Sequence, residues 1–339
     1  MIDRANTSQQ QMLAQYQSLL QAQQLPCEHI VWHVTNRCNL ACIHCGVWGG
    51  EKLYTDLTLE QFARHIPDMI RLGVKYVTLT GGEPLVRKDL DRILAVLKLS
   101  GFQVAMVTNG HFLERFEAKL KPYPLDSISI SIDGTAPFHN RLRLSEVSFA
   151  ETLKALAYAQ KLEIPIRNVN TCVTPDNLGS LPELSTAIFA AGANHWILRP
   201  ITQSGRADAA LKSDLKTLKE LLSFTESQRD QGLPVRLAGV GYMGPWHERF
   251  HQESYFDHTG WNSLYILPDG RIKGFNAEHL PVEGHLLHDH LPTVWWNGFS
   301  VYRHKQVPES CLRCEAYADC GGGNDTEAEA GYRCLKPLF

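Results

Sequence analysis

A chain of 339 residues with 44% hydrophobic and 20% charged residues has room for one large α/β domain plus a smaller appendage, and can bury a sizeable core. Its formal net charge of -3 argues against nucleic acid or an anionic membrane as the main partner, and it contains no apolar run long enough to span a bilayer. The polar, Gln-rich residues 1–24 lack a basic region followed by an apolar core, so they do not read as a signal peptide; the nine cysteines then read as ligands in a reducing cytoplasm rather than as disulfides.

Residues 7–24 read as a helix with a thin apolar stripe (Met12, Leu13, Tyr16, Leu19, Leu20), closed by Pro26. Strand patterns follow at 30–34, 76–80, 103–107, 127–132, 167–173 and 195–198. Helical patterns lie between them at 59–72, 88–99, 112–120, 149–162 and 178–190, and a long one follows at 212–229. Strand then helix, repeated six times, predicts parallel strands joined by right-handed crossovers. Six units fall short of the eight of a closed barrel, and periodicity alone does not separate an open sheet from a partial barrel. After about Leu233 the alternation stops. Residues 261–272 read as a hairpin around Pro268-Asp-Gly270, and the rest is loop-rich. The expected division is a helical extension at 1–28, a barrel domain at 29–232 and a small cysteine-bearing domain at 233–339.

Directly after the first strand stands Cys38-Asn-Leu-Ala-Cys42-Ile-His44-Cys45. Three thiolates are one fewer than close a [4Fe–4S] cluster, which leaves one iron free to bind and activate a small molecule. A zinc site is the other reading; His44 is the one nearby residue to complete it, and it is poorly placed beside Cys45. After the second strand, Gly81-Gly82-Glu83-Pro84 offers backbone that a ligand can approach closely and a carboxylate for an ammonium group, although such a run alone also makes a simple turn. Asn109 ends the third strand, and Ser131, Asp133 and Gly134 end the fourth. Near the C-terminus Cys311, Cys314, Cys320 and Cys334 form a set of four that suits zinc or a closed iron–sulfur cluster.

The three-cysteine loop after one strand and the GGEP turn after the next resemble the radical S-adenosylmethionine (SAM) enzymes, and the resemblance covers about residues 30–335. It implies a (βα)6 partial TIM barrel with the cluster and SAM at the C-terminal ends of the strands. It further implies reductive cleavage of SAM to a 5′-deoxyadenosyl radical that abstracts hydrogen from carbon. By the same resemblance Cys38, Cys42 and Cys45 hold the SAM-binding cluster, and His44 takes the place of an aromatic residue near the adenine. Gly81, Gly82, Glu83 and Pro84 meet the SAM amino group; Asn109, Ser131 and Asp133 meet its ribose and methionine parts. The segment 133–143 resembles a family pattern, with Asn140 where an Asp is usual, and makes Arg143 the candidate for the SAM carboxylate; the alternative is a surface arginine. Leu198 and Arg199, ending the sixth strand, wall the adenine or are simply core and rim.

The C-terminal part resembles the SPASM domain, which carries seven cysteines and two auxiliary clusters. Here Phe275 and Asn324 stand where cysteines are expected and residues 254–260 contain none, so one cluster site is lost while Cys311, Cys314, Cys320 and Cys334 retain the other. Two [4Fe–4S] clusters in total are expected, one catalytic and one auxiliary. Cys172, in the fifth strand, is read as a hydrogen donor to a substrate radical or as an ordinary buried thiol. His279, His285, His288 and His290 are a metal cluster or solvated histidines, and Trp295-Trp296 is packing or a cleft wall.

Most full SPASM relatives act on peptides, which makes a ribosomally made precursor peptide the leading substrate class, modified by cross-linking, epimerisation or oxidation. A flavodoxin- or ferredoxin-type protein would donate electrons. Against the peptide reading, about thirty residues before the first strand are too few for a leader-recognition domain, for which a separate recognition protein could compensate. The rivals are a small-molecule epimerase, dehydrogenase or decarboxylase acting on a sugar or nucleoside, and a non-catalytic iron–sulfur or zinc scaffold.

Overall fold

The computed structural model describes residues 9–51, 54–246 and 259–322. Seven strands run parallel in chain order: β1 (His29–Thr35), β2 (Tyr76–Gly81), β3 (Gln103–Thr108), β4 (Ser127–Ser131), β5 (Ile166–Val173), β6 (His195–Pro200) and β7 (Val235–Leu237). Helices α2 (Leu59–Ala63), α3 (Ile66–Arg71), α4 (Leu90–Leu99), α5 (Glu117–Leu120), α6 (Ala136–Arg143), α7 (Ser148–Lys161), α8 (Leu181–Ala190) and α9 (Leu215–Asp230) connect them, and α1 (Gln9–Gln21) precedes them. The hairpin β8 (Ser263–Ile266) and β9 (Arg271–Lys273) is antiparallel, and β10 (Gly284–His285) pairs with β9. Among the described residues these form one ten-stranded sheet in the order β10-β9-β8-β1-β2-β3-β4-β5-β6-β7. The α/β class expected from the strand–helix alternation is the one observed.

The two faces of the sheet differ because side chains alternate along a strand. In β4, Ile128 and Ile130 are fully buried, while Ser127, Ser129 and Ser131 between them are partly exposed. Asn168 of β5 donates to the hydroxyls of Ser127 (3.3 Å) and Ser129 (3.2 Å), so the second face is a polar one shared between strands. The apolar face packs on helices: Trp32 of β1 stacks on Phe62 of α2 with ring centroids 3.7 Å apart and planes 2° apart.

The structure departs from expectation at definite points. The helical pattern at 59–72 is two helices, because Pro67 lacks an N–H for the earlier turn and suits the first turn of a new helix. A capping box between Thr58 and Gln61 fixes the start of α2. The patterns at 112–120 and 178–190 each open with a 3-10 turn. Helix α6 was not foreseen, and neither was β7. The sheet runs past residue 233: β7 extends it beside β6, and β8 joins its other side, parallel to β1 with His29 opposite Ser263. Tyr16 of α1 is buried against Trp261 at the root of the hairpin, with ring centroids 6.0 Å apart. Among the described residues no helix is long and apolar enough to cross a membrane.

Candidate active site

The segment between β1 and α2 folds back on itself, with Gly50 N–H donating to Asn36 O at 2.7 Å and Asn36 Nδ2 donating to Trp48 O at 3.2 Å. Cys38, Cys42 and Cys45 project from it as free thiols. Backbone N–H groups point at two of the sulfurs, Leu40 to Cys38 Sγ at 3.4 Å and Gly49 to Cys45 Sγ at 3.3 Å. Such donors stabilise sulfur that carries negative charge toward a metal. Burial pushes the Cys38 thiol up to about 11 and raises Cys42 as well, a shift that a bound cation would oppose.

The spacing of the sulfurs tests which metal group they fit. Among the described residues the trio of ligand atoms lying within 4.8 Å of one another is His44, Asp133 and Cys172; the three loop thiols are set wider. Tetrahedral zinc–thiolate geometry needs sulfurs about 3.8 Å apart, whereas cluster ligands sit on separate irons. A trio of thiols set too wide for one zinc ion is compatible with ligands on separate irons of a cluster.

A residue that the motifs did not reveal clamps this loop. Arg206, in the segment after β6, donates through Nε to Cys42 O (2.8 Å) and through Nη1 to Gly49 O (3.2 Å), and pairs with Glu51. Its N–H donates to Cys45 O at 2.9 Å. Beside it Gly205 has φ +58, and a Cβ there would lie 2.2 Å from Cys45 O. Gly205-Arg206 just past a strand end was the available signal.

The GGEP glycines serve backbone packing. A Cβ on Gly81 would lie 2.1 Å from Thr35 O, and one on Gly82 would lie 2.4 Å from Arg37 O. Close approach is required between β2 and the chain leaving β1, and it seats the turn under the cysteine loop. Glu83 is buried, and its carboxylate accepts from Leu85 N–H (3.0 Å), Thr108 Oγ1 (2.7 Å) and Asn109 N–H (2.7 Å). Three of about four lone-pair directions are thus taken, leaving about one for an ammonium group. Asn109 Nδ2 donates to Asn39 Oδ1 at 2.9 Å, which ties the end of β3 to the cysteine loop. Pro84 is buried in the turn that Glu83 caps.

At the end of β4 the fully buried Asp133 gathers several groups. Arg143 donates to its Oδ2 through Nε (2.8 Å) and Nη2 (2.7 Å), Cys172 N–H donates to Oδ1 at 3.1 Å, and His44 Nε2 lies 3.5 Å from Oδ2. Helix α6 returns the chain so that Arg143 faces Asp133; Arg143 is buried, which removes the surface-arginine alternative. Burial pushes the Asp133 carboxyl up, but Arg143, His44 and His139 outweigh it and hold it at about 2. Burial holds the His44 imidazole below its ordinary range against the pull of Asp133, and its Nδ1 has no partner among the described residues. Below Asp133, His139 Nδ1 accepts the Asp133 N–H at 3.0 Å, and Asn140 Oδ1 accepts Phe149 N–H at 2.8 Å, so these two positions hold the loop in shape.

Ser131 and Cys172 lie on the polar face, Ser131 opposite Asn170 and Cys172 opposite Arg199. Burial pushes the Cys172 thiol up to about 12, with Asp133 adding to the effect and Arg143 and Arg199 opposing it. Leu198 is fully buried within the main hydrophobic core.

In the C-terminal part Cys311, Cys314 and Cys320 are partly exposed, and Cys314 N–H donates to Cys311 O at 3.0 Å. Cys334 and Asn324 lie outside the described residues. Phe275 packs edge-on against Tyr265 with ring centroids 5.4 Å apart, and its N–H donates to the Tyr302 hydroxyl at 3.1 Å. Rings thus fill the place where a cysteine was expected. His290 Nε2 stands 3.7 Å from Asp68, while the His285 and His288 rings meet at a tilt of 40° with centroids 4.7 Å apart. Trp295 is core packing: its Nε1 donates to Leu25 O at 2.9 Å and Arg303 covers its ring.

A sequence profile of the radical SAM superfamily matches residues 32–184. An AdoMet-dependent heme synthase of Methanosarcina barkeri is 25% identical over 317 residues, covering 86% of this chain and 90% of the relative. The mycofactocin maturase MftC of Mycolicibacterium smegmatis is 26% identical over 315 residues, covering 87% and 77%. A GTP 3′,8-cyclase of Heliobacterium modesticaldum is 31% identical over 230 residues, covering 64% and 67%. In three dimensions the chain resembles Streptococcus suis SuiB bound to its precursor peptide SuiA, with a TM-score of 0.74 and 15% identity over 93% of this chain and 76% of that one.

Proposed function

The chain belongs to the radical SAM superfamily, and from that premise we propose that it modifies a ribosomally made peptide by cross-linking, epimerisation or oxidation. It is a radical SAM enzyme with that superfamily's partial TIM barrel, binding SAM and a [4Fe–4S] cluster. When bound, the cluster and SAM supply reductive cleavage of the sulfonium and a carbon radical able to take hydrogen from an unactivated C–H bond.

The protein's residues supply placement. Cys38, Cys42 and Cys45 would hold three irons, with Arg206 fixing the loop that carries them. Glu83 has a lone-pair direction left for the SAM ammonium, and Gly81, Gly82 and Pro84 keep it there. His44 lies beside Asp133 with an Nδ1 that has no partner among the described residues, while Ser131 ends β4 and Asn109, tied to Asn39 of the cysteine loop, follows β3. Arg143 is committed to Asp133 in this structure and would have to share its fork to hold the SAM carboxylate. Cys172 is the candidate hydrogen donor: its thiol stays protonated at neutral pH, and an S–H bond gives up hydrogen to a carbon radical. A second [4Fe–4S] cluster in a reduced SPASM-type domain would take Cys311, Cys314, Cys320 and Cys334. A flavodoxin- or ferredoxin-type donor would supply the electrons.

The match to a peptide maturase over 315 residues carries the peptide reading. The equally long match to a heme synthase favours a second one, a small-molecule substrate. Mass spectrometry of cells carrying the native enzyme or its Cys42→Ala variant separates them. A peptide that loses about two mass units, one pair of hydrogens, or takes up deuterium from heavy water supports the first reading. A change confined to a polar metabolite supports the second and removes the first.

A further inference from the structure

The polar face of the sheet carries groups that neither the cysteine loop nor the GGEP turn uses. Arg199 is exposed at the C-terminal end of β6, and among the described residues its side chain makes no hydrogen bond or ion pair. Two cations beside it are spent, Arg143 on Asp133 and Arg206 on Glu51 and loop carbonyls. Arg199 stands opposite Cys172 on the neighbouring strand, so the two side chains leave the sheet on one face about 5 Å apart. Its stem runs along Gly239, where a Cβ would lie 3.3 Å from Nη1 and 3.5 Å from Cγ; the glycine, at φ +71, leaves the guanidinium its space. One position further into the barrel on that face of β5, Asn170 Oδ1 is buried and has no partner among the described residues. Its neighbour Asn168 donates through Nδ2 to two serines, so the polar groups on this face otherwise pair with one another.

A free guanidinium grips a planar carboxylate through two parallel N–H bonds, and a buried amide oxygen calls for a donor on the same ligand. We propose that Arg199 and Asn170 form the substrate subsite, Arg199 binding a substrate carboxylate and the Asn170 amide accepting a hydrogen bond from a donor on the same molecule. Glu83, the residue assigned to the SAM ammonium, follows β2, four strands from Arg199 in the sheet, so Arg199 stands away from the SAM amino group. The inference rests on the radical SAM reading given above and adds the charge of the substrate and the side from which it enters. The carbon to be attacked then lies within a side-chain length of Cys172.

The test uses the reconstituted full chain and its Arg199→Gln and Arg199→Lys variants. Reductive release of 5′-deoxyadenosine from SAM, without substrate, is expected to stay within twofold of the unaltered protein in both. In cells, product is expected to fall at least 100-fold in Arg199→Gln and to recover partly in Arg199→Lys. The compound that accumulates should gain mass on carbodiimide coupling to glycinamide, as a carboxylate does. Phenylglyoxal mapping of the apo protein gives a readout free of turnover: Arg199 should react quickly and Arg143 slowly, with SAM giving Arg199 no protection. Loss of 5′-deoxyadenosine release in Arg199→Gln, protection by SAM, undiminished product or an accumulating compound without a carboxylate each overturns the proposal. If the unaltered protein itself releases no 5′-deoxyadenosine, the radical SAM reading has failed instead.

Discussion

Asp133→Asn keeps the volume of a buried side chain and removes its charge. The carboxylate lost is one that holds Arg143 through bonds of 2.8 and 2.7 Å and accepts the Cys172 N–H at 3.1 Å. Its folded-state pKa of about 2, against an ordinary 3.8, means that the folded protein favours the ionised form. At 1.36 kcal/mol per unit that preference amounts to about 2 kcal/mol, fully present above pH 3.8 and lost as pH falls through about 2. The Asn variant also strands Arg143 as a buried cation, and breaking a buried pair costs about 3–5 kcal/mol. A loss of about 2–5 kcal/mol at pH 7 is therefore expected in urea unfolding of the reduced apo protein. The gap from the unaltered protein should narrow between pH 4 and pH 2. Arg143→Met added to Asp133→Asn should recover most of the loss, because the stranded charge is then gone. A loss below about 1 kcal/mol at pH 7, or a double variant no more stable than the single one, refutes the reasoning.

Gly82→Ala should cost about 1–3 kcal/mol, since its Cβ meets the Arg37 carbonyl and both are backbone; thermal melting of the apo protein measures this, and an unchanged melt counts against the crossing of β1 and β2 described above. Arg206→Gln removes a fork that holds two carbonyls of the cysteine loop, worth about 1–3 kcal/mol, so chelator should strip iron about 10–100 times faster. Arg206→Lys should restore little, because one ammonium does not span both oxygens. Cys172→Ala should abolish deuterium uptake from heavy water into product if the thiol returns the hydrogen atom; normal uptake assigns that step to another group.

Local pattern made much of this molecule legible, and distance in sequence hid the rest. The serines and isoleucines of β4 alternate strictly, so the strand and its two faces could be read directly. The cysteine spacing and the GGEP turn are each contained within a few residues. By contrast, Arg206 reaches Cys42 across 164 residues, and no local signal says what an arginine after a strand will hold. The pairing of β8 with β1 joins His29 to Ser263, so a hairpin legible as a hairpin gave no hint of its partner. Arg143 is ten residues from Asp133, but only the unforeseen helix α6 turns it back to face that carboxylate. At 59–72 the apolar spacing runs unbroken through Pro67, whose missing N–H nonetheless ends one helix and opens the next.

The most direct measurement is 5′-deoxyadenosine release from SAM by the anaerobically reconstituted, dithionite-reduced protein, beside its Cys42→Ala variant with iron counted in both. The unaltered protein is expected to release it, and Cys42→Ala to fall at least 100-fold while keeping the about four irons of a closed auxiliary cluster. An iron-loaded unaltered protein that leaves SAM intact, or a Cys42→Ala variant that cleaves it equally well, contradicts the assignment of the three-thiol loop as the catalytic centre.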